Sequence, residues 1–430
     1  MVVADLPELG IWNGEEMILQ TSKEDSWWDK AKLLWRYGLA PIYTNRLMKA
    51  TVDKFLSFYE EPIFPFDNLS NAAYKVGLTT ATAATGEQFL KENGIADKFA
   101  EEIIQASTRV NYAQNLGLIH GLETMVCMAT DGAMAVEGGN WQIFANMLKS
   151  AQAEVKLNTT VQKIAKQPDN SYVLVTDSDS EPQIFDEVVL AAPLQFSSLV
   201  IDPAPAHVPD QIPYVNLHVT LFASPHLLSA KAFNIEPGKP VPQFIITTLP
   251  PGEHLGADPD GVGKPGFFSI SVVAQARNPK SVPSGRTEYV YKIFSPKRVD
   301  TQFLSHILGR RLANSLDDDE AEQEADGAVT WIHRKLWQSY PYEYPRVTFD
   351  RIRLDDGLWY TSGIESFIST METSALMGKN VAKLISNKWV YGDYGEGVAE
   401  IGEDLKTWKK EWDYLGLHDA GRQKPLKAKL

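Results

Sequence analysis

Residues 214–222 read YVNLHVTLF, and apolar and polar side chains alternate along them. The apolar positions are Val215, Leu217, Val219 and Leu221, and the polar positions between them are Asn216, His218 and Thr220. A period of two is typical of a strand that turns one face toward a core or a ligand. The segment therefore predicts a β-sheet with one apolar face.

The sequence around this strand predicts that the sheet is large and mainly antiparallel. Further strands are expected at 243–249, 267–274, 288–294 and 328–335. Loops rich in glycine and proline, at 250–266 and 277–287, separate several of them. Short strands that alternate with such loops favour antiparallel connections. We assign 205–349 to this sheet, and we interpret the acidic stretch 317–326 as a solvated loop or helix end.

The first 128 residues are predicted to be mostly helical. Apolar residues recur near a 3.6-residue period in 26–60, and the segment EPIFPF at 61–66 ends that helix. A second helical region is expected at 86–105, with an interruption at Asn93-Gly94. No convincing βαβ unit is visible in 1–128.

The pattern changes in 129–204. A turn at Gly138-Gly139-Asn140 opens an amphipathic helix, and strands are expected at 154–157, 160–166 and 172–176. The continuous apolar run in 185–193 predicts a strand that is buried on both faces.

A strand, a turn and a helix are predicted near the carboxyl end. The strand is expected at 358–361 and the helix at about 370–387. Ser369 and Glu372 have the spacing of a capping box, so Ser369 is the predicted N-cap. The tail 391–430 is polar and is left unassigned.

Composition excludes several classes of function. The 430 residues carry a formal net charge of −14, which argues against nucleic-acid binding. Cys127 is the single cysteine, so an internal disulfide is excluded, and we expect this side chain to be a small buried hydrophobe. The eight histidines show no spacing typical of a metal site. We find no run long enough for a membrane span and no signal peptide at the amino terminus. Asn68 and Asn158 begin sequons that permit glycosylation.

Several of these segments resemble the prenylcysteine oxidase (prenylcysteine lyase) family, within the FAD-dependent amine-oxidase-like superfamily. The resemblance covers about residues 5 to 390. Its superfamily part comprises 135–140 (AVEGGN), 158–164 (NTTVQKI), 185–193, 363–365 (GIE) and 371–375 (METSA). Its narrower family part comprises 108–114 (TRVNYAQ) and 337–342 (WQSYPY).

The resemblance implies a fold class of α/β plus antiparallel β, with a discontinuous Rossmann-like FAD-binding domain. It assigns 129–204 and 350–390 to that domain, and 1–128 and 205–349 to an α+β substrate domain. It also implies FAD as the cofactor, and oxidative cleavage of a farnesyl or geranylgeranyl cysteine thioether by oxygen. The products are cysteine, a prenyl aldehyde and hydrogen peroxide, in the degradation of prenylated proteins. The compartment that the family suggests is the lysosome or vacuole, within the secretory pathway.

One departure from the family is evident. Such enzymes open with a strand, a Gly-x-Gly-x-x-Gly turn and a helix, which hold the FAD pyrophosphate. This element is not found in the sequence, so the FAD-binding domain is expected to be a remnant. A truncated gene product is one interpretation. A non-catalytic prenyl-lipid-binding relic and another amine-oxidase-like flavoenzyme are the alternatives.

The resemblance also nominates cofactor-binding residues. They are Gly138, Gly139, Val161, Gly363, Glu365, Met371 and Glu372. A helix amino terminus at 369–372 would stabilise negative charge on a reduced flavin. A purely structural interpretation is also open. The glycines Gly138 and Gly139 would then form an ordinary turn, Val161 would pack in a core, Glu365 would be a surface carboxylate, and 369–372 would be an ordinary helix cap. No catalytic residue is assigned, because the cofactor does the chemistry.

Substrate-binding residues are nominated in the two narrower motifs. Arg109, Asn111, Tyr112 and Gln114 are predicted to anchor the amino-acid end of the substrate, since a guanidinium suits a carboxylate. Trp337, Tyr340 and Tyr342 are predicted to wall an apolar cavity for the prenyl chain. The alternatives are an internal ion pair for Arg109 and core packing for the aromatic residues.

Overall fold

The protein is described by a computed structural model. The described residues are 9–21, 27–129, 135–178, 181–255, 258, 261–281, 285–313, 316 and 327–392. The acidic stretch 317–326 and nearly all of the tail 391–430 lie outside them. No helix among the described residues is long and apolar enough to cross a membrane.

A seven-stranded sheet is the largest β structure. Its strands, from one edge to the other, are β12 (Trp331–Pro341), β8 (Tyr214–Ser224), β11 (Arg286–Ser295), β10 (Ser269–Asn278), β9 (Phe244–Thr247), β1 (Leu9–Trp12) and β2 (Met17–Gln20). Every pairing is antiparallel except that of β1 with β9. The prediction of a large, mainly antiparallel sheet is therefore confirmed. The strands β1 and β2 were not predicted, whereas the described residues between 27 and 128 are mostly helical, as the sequence indicated.

Two smaller sheets lie side by side. One contains β13 (Arg353–Asp355), β14 (Leu358–Tyr360) and β6 (Val188–Leu190), and the other contains β5 (Gln183–Phe185), β4 (Tyr172–Thr176), β3 (Val161–Lys166) and β7 (Val200–Asp202). They share a core that includes Ile164, Tyr172, Leu354 and Leu358. This core joins 161–201 to 354–360.

Helices lie mainly in the first part of the described chain. Those between β2 and β8 are α1 (Trp27–Tyr37), α2 (Ala40–Leu56), α3 (Leu69–Lys75), α4 (Thr79–Thr82), α5 (Gly86–Glu92), α6 (Asp97–Phe99), α7 (Gln105–Tyr112), α8 (Gly121–Met128) and α9 (Trp141–Ser150). Those after β11 are α10 (Thr301–Leu308) and α11 (Met371–Tyr391). A π-helical turn, Ala100–Ile104, connects α6 to α7. Gly38 (φ +58°) divides the helix predicted at 26–60 into α1 and α2.

The main core forms between these helices and α11. Phe58 and Phe367 are fully buried in it, with their ring centres 5.5 Å apart. The side chain of Asn380 in α11 makes two hydrogen bonds with the backbone of Phe66. Its oxygen accepts the Phe66 N–H at 2.9 Å, and its nitrogen donates to the Phe66 carbonyl at 2.7 Å. The helix nearest the carboxyl end is thus fixed to the first part of the chain.

Two strand predictions in 129–204 are wrong. Residues 154–157 form no strand, and their side chains are exposed. In 185–193 Phe185 ends β5 and Val188–Leu190 forms β6, and the two strands belong to different sheets. Val188 is buried, whereas Val189, on the opposite face, is 43% exposed, so only one face of β6 is buried.

Candidate functional site

The start of α11 is capped one residue later than the sequence predicted. The Thr370 hydroxyl accepts the N–H of Thr373 at 3.1 Å, and the Thr373 hydroxyl accepts the N–H of Thr370 at 3.2 Å. The Ser369–Glu372 capping box is therefore wrong, because Thr370 takes the extended N-cap conformation. Glu372 instead accepts the Tyr59 hydroxyl at 2.5 Å. Met371 is 56% exposed, so the first turn of this helix is accessible.

The turn before α11 contains two more predicted cofactor residues. Gly363 is buried, and a Cβ added there would lie 2.9 Å from Cβ of Asp350, so this close approach requires glycine. Glu365 is half-buried and accepts the Tyr214 hydroxyl at 2.9 Å. Burial raises the pKa of Glu365, and the Tyr214 bond opposes the rise. The turn is thereby linked to strand β8 of the large sheet.

The other predicted cofactor residues lie in 129–204. Gly138 and Gly139 form a turn with φ of +85° and +114°, which favours glycine at both positions, and they immediately precede α9. Val161 is half-buried at the start of β3. Glu187 ties this region to α11, since it lies 2.9 Å from Nζ of Lys388 and accepts the indole N–H of Trp359 at 2.7 Å.

Arg109 is fully enclosed by the protein. Its guanidinium donates to Oγ1 of Thr247 at 3.0 and 3.1 Å, to Oδ1 of Asn115 at 2.7 Å, and to the carbonyls of Gly261 and Val262 at 3.2 and 2.7 Å. It also lies over the Phe268 ring. Because these donors are used and the side chain is 0% exposed, its surroundings favour a structural role over substrate binding. The acceptors are neutral groups, so the internal ion pair considered as the alternative is not what the structure shows.

Two neighbours of Arg109 also make internal contacts. Gln114 is buried, donates to the Pro341 carbonyl at 3.0 Å, and accepts the Glu343 N–H at 2.8 Å. Asn111 is half-buried and donates to the Ser107 carbonyl at 3.0 Å. Both amides bond to backbone within the fold, and their predicted contact with substrate stays a prediction.

Tyr112 connects the predicted substrate side to the predicted cofactor side. Its hydroxyl donates to the Ser369 carbonyl at 2.9 Å, directly before the cap of α11. Its ring meets Tyr340 edge to face, with the ring centres 5.1 Å apart. The two narrower motifs of the sequence thus meet beside the turn that precedes α11.

The apolar face of the large sheet continues from these tyrosines. Val215 and Leu217 are buried there, whereas Val219, Phe294, Tyr340 and Tyr342 are half-buried in the same cluster. Trp337 is 47% exposed on β12, with the Lys335 ammonium 4.8 Å from its ring centre. Half-buried apolar side chains on one face give a surface on which a hydrocarbon chain can bind.

Lys292 is a site residue that the sequence analysis missed. It lies on β11, and its Nζ is 4.6 Å from the ring centre of Phe294 on this same face. Burial lowers the pKa of Lys292 from its ordinary value. The sequence around Lys292 gives no indication that this side chain is partly buried. Its burial arises from the pairing of β11 with strands that are distant in sequence.

One histidine and two glutamate side chains form a second group that the sequence analysis missed. His120, Glu123 and Glu343 are each 0% exposed, and one potential ligand atom of each lies within 4.8 Å of the others. His120 and Glu123 are three residues apart on one helix, a weak signal that was available. Glu343 is more than 200 positions away in sequence, and only the fold brings it to them.

Comparison with known proteins identifies the family. A sequence model described as prenylcysteine lyase matches residues 20–395, most of the chain. The chain belongs to the prenylcysteine lyase family. Among its relatives, a protein named farnesylcysteine lyase from Arabidopsis thaliana is 27% identical over 399 residues, 89% of this chain and 70% of the relative. Prenylcysteine oxidase 1 from Mus musculus is 26% identical over 428 residues, 93% of this chain and 76% of the relative.

Solved structures resemble this member of the prenylcysteine lyase family more distantly. Cyclohexylamine oxidase from Brevibacterium oxydans aligns with 10% identity and a TM-score of 0.47, covering 90% of this chain and 81% of the other. A fatty acid isomerase from P. acnes aligns with 12% identity and a TM-score of 0.47, covering 90% and 81%. The mixed α/β architecture is established by the strands and helices described above.

Proposed function

We propose that this protein is an FAD-dependent oxidase that cleaves the thioether of a prenylcysteine. The substrate carries a farnesyl or geranylgeranyl chain, and oxygen and water are consumed. The products are cysteine, a prenyl aldehyde and hydrogen peroxide. The proposal is supported by family membership over residues 20–395 and by the names of the two relatives.

The structural observation that carries the proposal is the contact between Tyr112 and Ser369. It brings the apolar sheet face to the turn that precedes α11. A thioether oxidase needs a hydrocarbon-binding surface beside a redox group, and these two regions offer both. The carbon next to sulfur would be presented where the two regions meet.

The residues at the start of α11 have the chemical properties that binding the flavin end of FAD requires. The first turn of a 21-residue helix is accessible, and its dipole favours negative charge nearby. Gly363 permits close backbone approach, and Glu365 offers a carboxyl group with a raised pKa. Met371, Glu372, Gly363 and Glu365 are therefore the residues proposed to hold this end, with Gly138, Gly139 and Val161 toward the adenine end. When bound, FAD supplies the acceptor for the hydride of the thioether carbon.

The protein's own part in the reaction is to bind, orient and desolvate the substrate. Val219, Phe294, Tyr340 and Tyr342 would contact the prenyl chain and exclude water from it. Lys292 on the same face would place a cation beside the amino-acid end. The internal bonds of Arg109 would hold α7 in place, and with it Tyr112.

The proposal is tested by product analysis. The protein supplied with FAD is incubated with farnesylcysteine in air, and free thiol, farnesal and peroxide are quantified. We expect equal amounts of the three products. S-methylcysteine is the matched control, since it has the thioether without the prenyl chain. A folded, flavin-loaded protein that forms no thiol from farnesylcysteine would contradict the proposed function.

The prenyl-binding surface is tested by one substitution. Val219→Asn is expected to lower kcat/KM for farnesylcysteine by about tenfold or more, since a lost apolar contact in a pocket has about that effect. Val273→Asn is the control, because Val273 is 48% exposed on β10 of the same sheet. Equal effects of the two substitutions would place the prenyl chain elsewhere.

We also propose a lysosomal or vacuolar location, which is based on the family expectation. Asn158 is exposed, and Asn68 is half-buried with its side-chain oxygen capping α3. Fluorescence microscopy of the tagged protein in its own cells tests the location, and glycosidase treatment tests the two sequons. A uniform cytosolic signal would contradict the location.

A further inference from the structure

The buried group His120, Glu123 and Glu343 has polar atoms without partners. Among the described residues, neither carboxylate oxygen of Glu343 has a hydrogen-bond partner. The hydrogen-bonding neighbours of the Glu123 carboxyl are the Tyr112 hydroxyl and the Ser369 backbone, and that of the His120 ring is the Ser366 backbone. All three side chains are 0% exposed. Buried ionised groups in this state are strongly unfavourable, so the group requires either a bound cation or a bound proton.

The hydrogen bonding of His120 argues against a metal ion. The backbone N–H of Glu123 donates to Nδ1 of His120 at 3.1 Å, as part of the N-cap of α8. Nδ1 is therefore unprotonated, and the proton of the neutral ring is on Nε2. A metal-binding imidazole has the opposite arrangement, with a lone pair toward the metal and the other nitrogen as a donor. Nε2, which carries the proton, lies 3.5 Å from Oε2 of Glu343.

The charges around the pair do not neutralise two carboxylates. The groups that act on it come from every neighbouring element: Tyr112 of α7, the N-cap His120 and Cys127 of α8, Tyr214 of β8, Arg346 after β12, and Glu365 before α11. Burial lowers the pKa of His120 to about 3, so its ring is neutral. Arg346 is the one cation among these groups, and its guanidinium is half-buried and donates to the Ser366 hydroxyl at 2.9 Å. One cation stands against the carboxyl groups of Glu123, Glu343 and Glu365.

We propose that Glu123 and Glu343 together hold a proton at neutral pH, one of them as the neutral acid, and that this protonated pair braces the turn 362–370 against α8. Burial is the main force that keeps the proton. It raises the pKa of Glu123 to about 8, and burial together with the charge of Glu123 raises the pKa of Glu343 well above its ordinary value. The inference does not depend on the proposed function.

The contacts of the group explain why the turn would respond to this proton. The backbone N–H of His120 donates to the Glu343 carbonyl at 2.7 Å, which joins α8 to the segment after β12. From there Arg346 reaches Ser366, and Tyr112 reaches Ser369. Loss of the proton would place two like charges in the centre of this junction. We therefore assign Glu123 and Glu343 a positioning role.

The expected pH dependence follows from the direction of the pKa shifts. An unfolded glutamate has a pKa of about 4.3, whereas the folded pair titrates much higher. Between about pH 4.3 and about pH 8 the folded protein binds more protons than the unfolded chain, so its stability falls as pH rises. Each extra proton lowers the folding equilibrium constant about tenfold per pH unit in this window.

The test compares two isosteric variants with the unaltered protein. Glu123→Gln and Glu343→Gln imitate the neutral acid and cannot titrate. Chemical unfolding is measured from about pH 5 to about pH 8, where the linked proton is bound. Each variant is expected to remove about one proton from the slope of stability against pH, and to be more stable than the unaltered protein at the alkaline end. Glu137→Gln, at an exposed carboxyl, is the control and leaves the slope unchanged.

Infrared spectroscopy gives an independent measurement that needs no folded variant. A protonated, buried carboxyl gives a carbonyl band separate from carboxylate bands, and we expect it at neutral pH and not at alkaline pH. Absence of this band at neutral pH would overturn the proposal. So would a slope that both glutamine variants leave unchanged, or one equivalent of zinc or manganese retained by the protein after dialysis.

Discussion

Helices α8 and α9 are neighbours in sequence but have opposite environments. In α8 six of eight residues are buried, and even Glu123 is withdrawn from solvent. In α9 none of the ten residues is buried, although Trp141, Phe144, Met147 and Leu148 form an apolar face. Trp141 is 65% exposed and Phe144 is 50% exposed. The amphipathic pattern of α9 is genuine, yet nothing among the described residues covers it.

The contrast separates a well-packed part of the molecule from a part whose apolar side chains are exposed. Around α8 the helices and α11 share one core. Around α9, and at the open edge of β6, apolar groups face outward. Exposed apolar patches of this kind mark surfaces that bind something. The free energy of unfolding should therefore depend on the first part and be nearly insensitive to substitutions in the second.

The largest effect is expected in the core near α11. Phe367 is fully buried and contacts the rings of Phe58 and Phe349. Phe367→Ala should lower the free energy of unfolding by about 3–5 kcal/mol, because it leaves a cavity. Urea denaturation measures this. A loss below about 1 kcal/mol would show that the core is not packed as described.

A smaller loss of folding stability is expected when Arg109 is replaced. Arg109→Lys keeps the charge, but an ammonium cannot donate to Thr247, Asn115 and two carbonyls together. We therefore expect the free energy of unfolding to fall by about 1–3 kcal/mol. The control is Arg36→Lys, where the guanidinium pairs with Glu102 in a more exposed setting. If Arg109→Lys raises KM for farnesylcysteine and leaves stability unchanged, Arg109 is a substrate ligand and the structural interpretation is wrong.

The cap of α11 gives a third test. Thr370→Ala should cost about 1 kcal/mol, since it removes the hydroxyl that accepts the Thr373 N–H. Ser369→Ala, at the predicted N-cap, is the matched control and should change stability by less than about 0.5 kcal/mol. A larger loss of stability in Ser369→Ala than in Thr370→Ala would show that Ser369 is the N-cap, as the sequence predicted.

The smallest effect is expected on α9. Phe144→Ser should change the free energy of unfolding by no more than about 0.5 kcal/mol, because the side chain is already half in water. It should also reduce self-association, which light scattering detects, since the apolar face is diminished. A loss comparable to that of Phe367→Ala would mean that this face is covered in solution.

Local patterns were sufficient to predict much of the fold. The alternation in 214–222 identified β8, and β4 was predicted with its observed bounds. Gly138 and Gly139 were predicted as a turn, and both have positive φ. Cys127 was expected to be buried, and it is. Such features depend on neighbours within a few residues, and the sequence contains that information directly.

Features that depend on distant partners were not predictable. The pairing of β1 with β9 joins residues more than 200 positions apart, so the start of the chain did not look like part of a sheet. The same holds for Glu343 beside Glu123. The acceptors of Arg109 at Thr247, Gly261 and Val262 also come from another segment, so its internal bonds were not visible in the sequence. The exposure of Val189 on β6 likewise depends on which distant segments cover each face of that strand.

The most direct test of the account is an absorbance spectrum. The purified protein is supplied with FAD, and bound flavin is read near ~450 nm. We predict flavin bands that bleach when farnesylcysteine is added without oxygen. A folded protein that binds no flavin would contradict the assignment of an FAD-dependent oxidase.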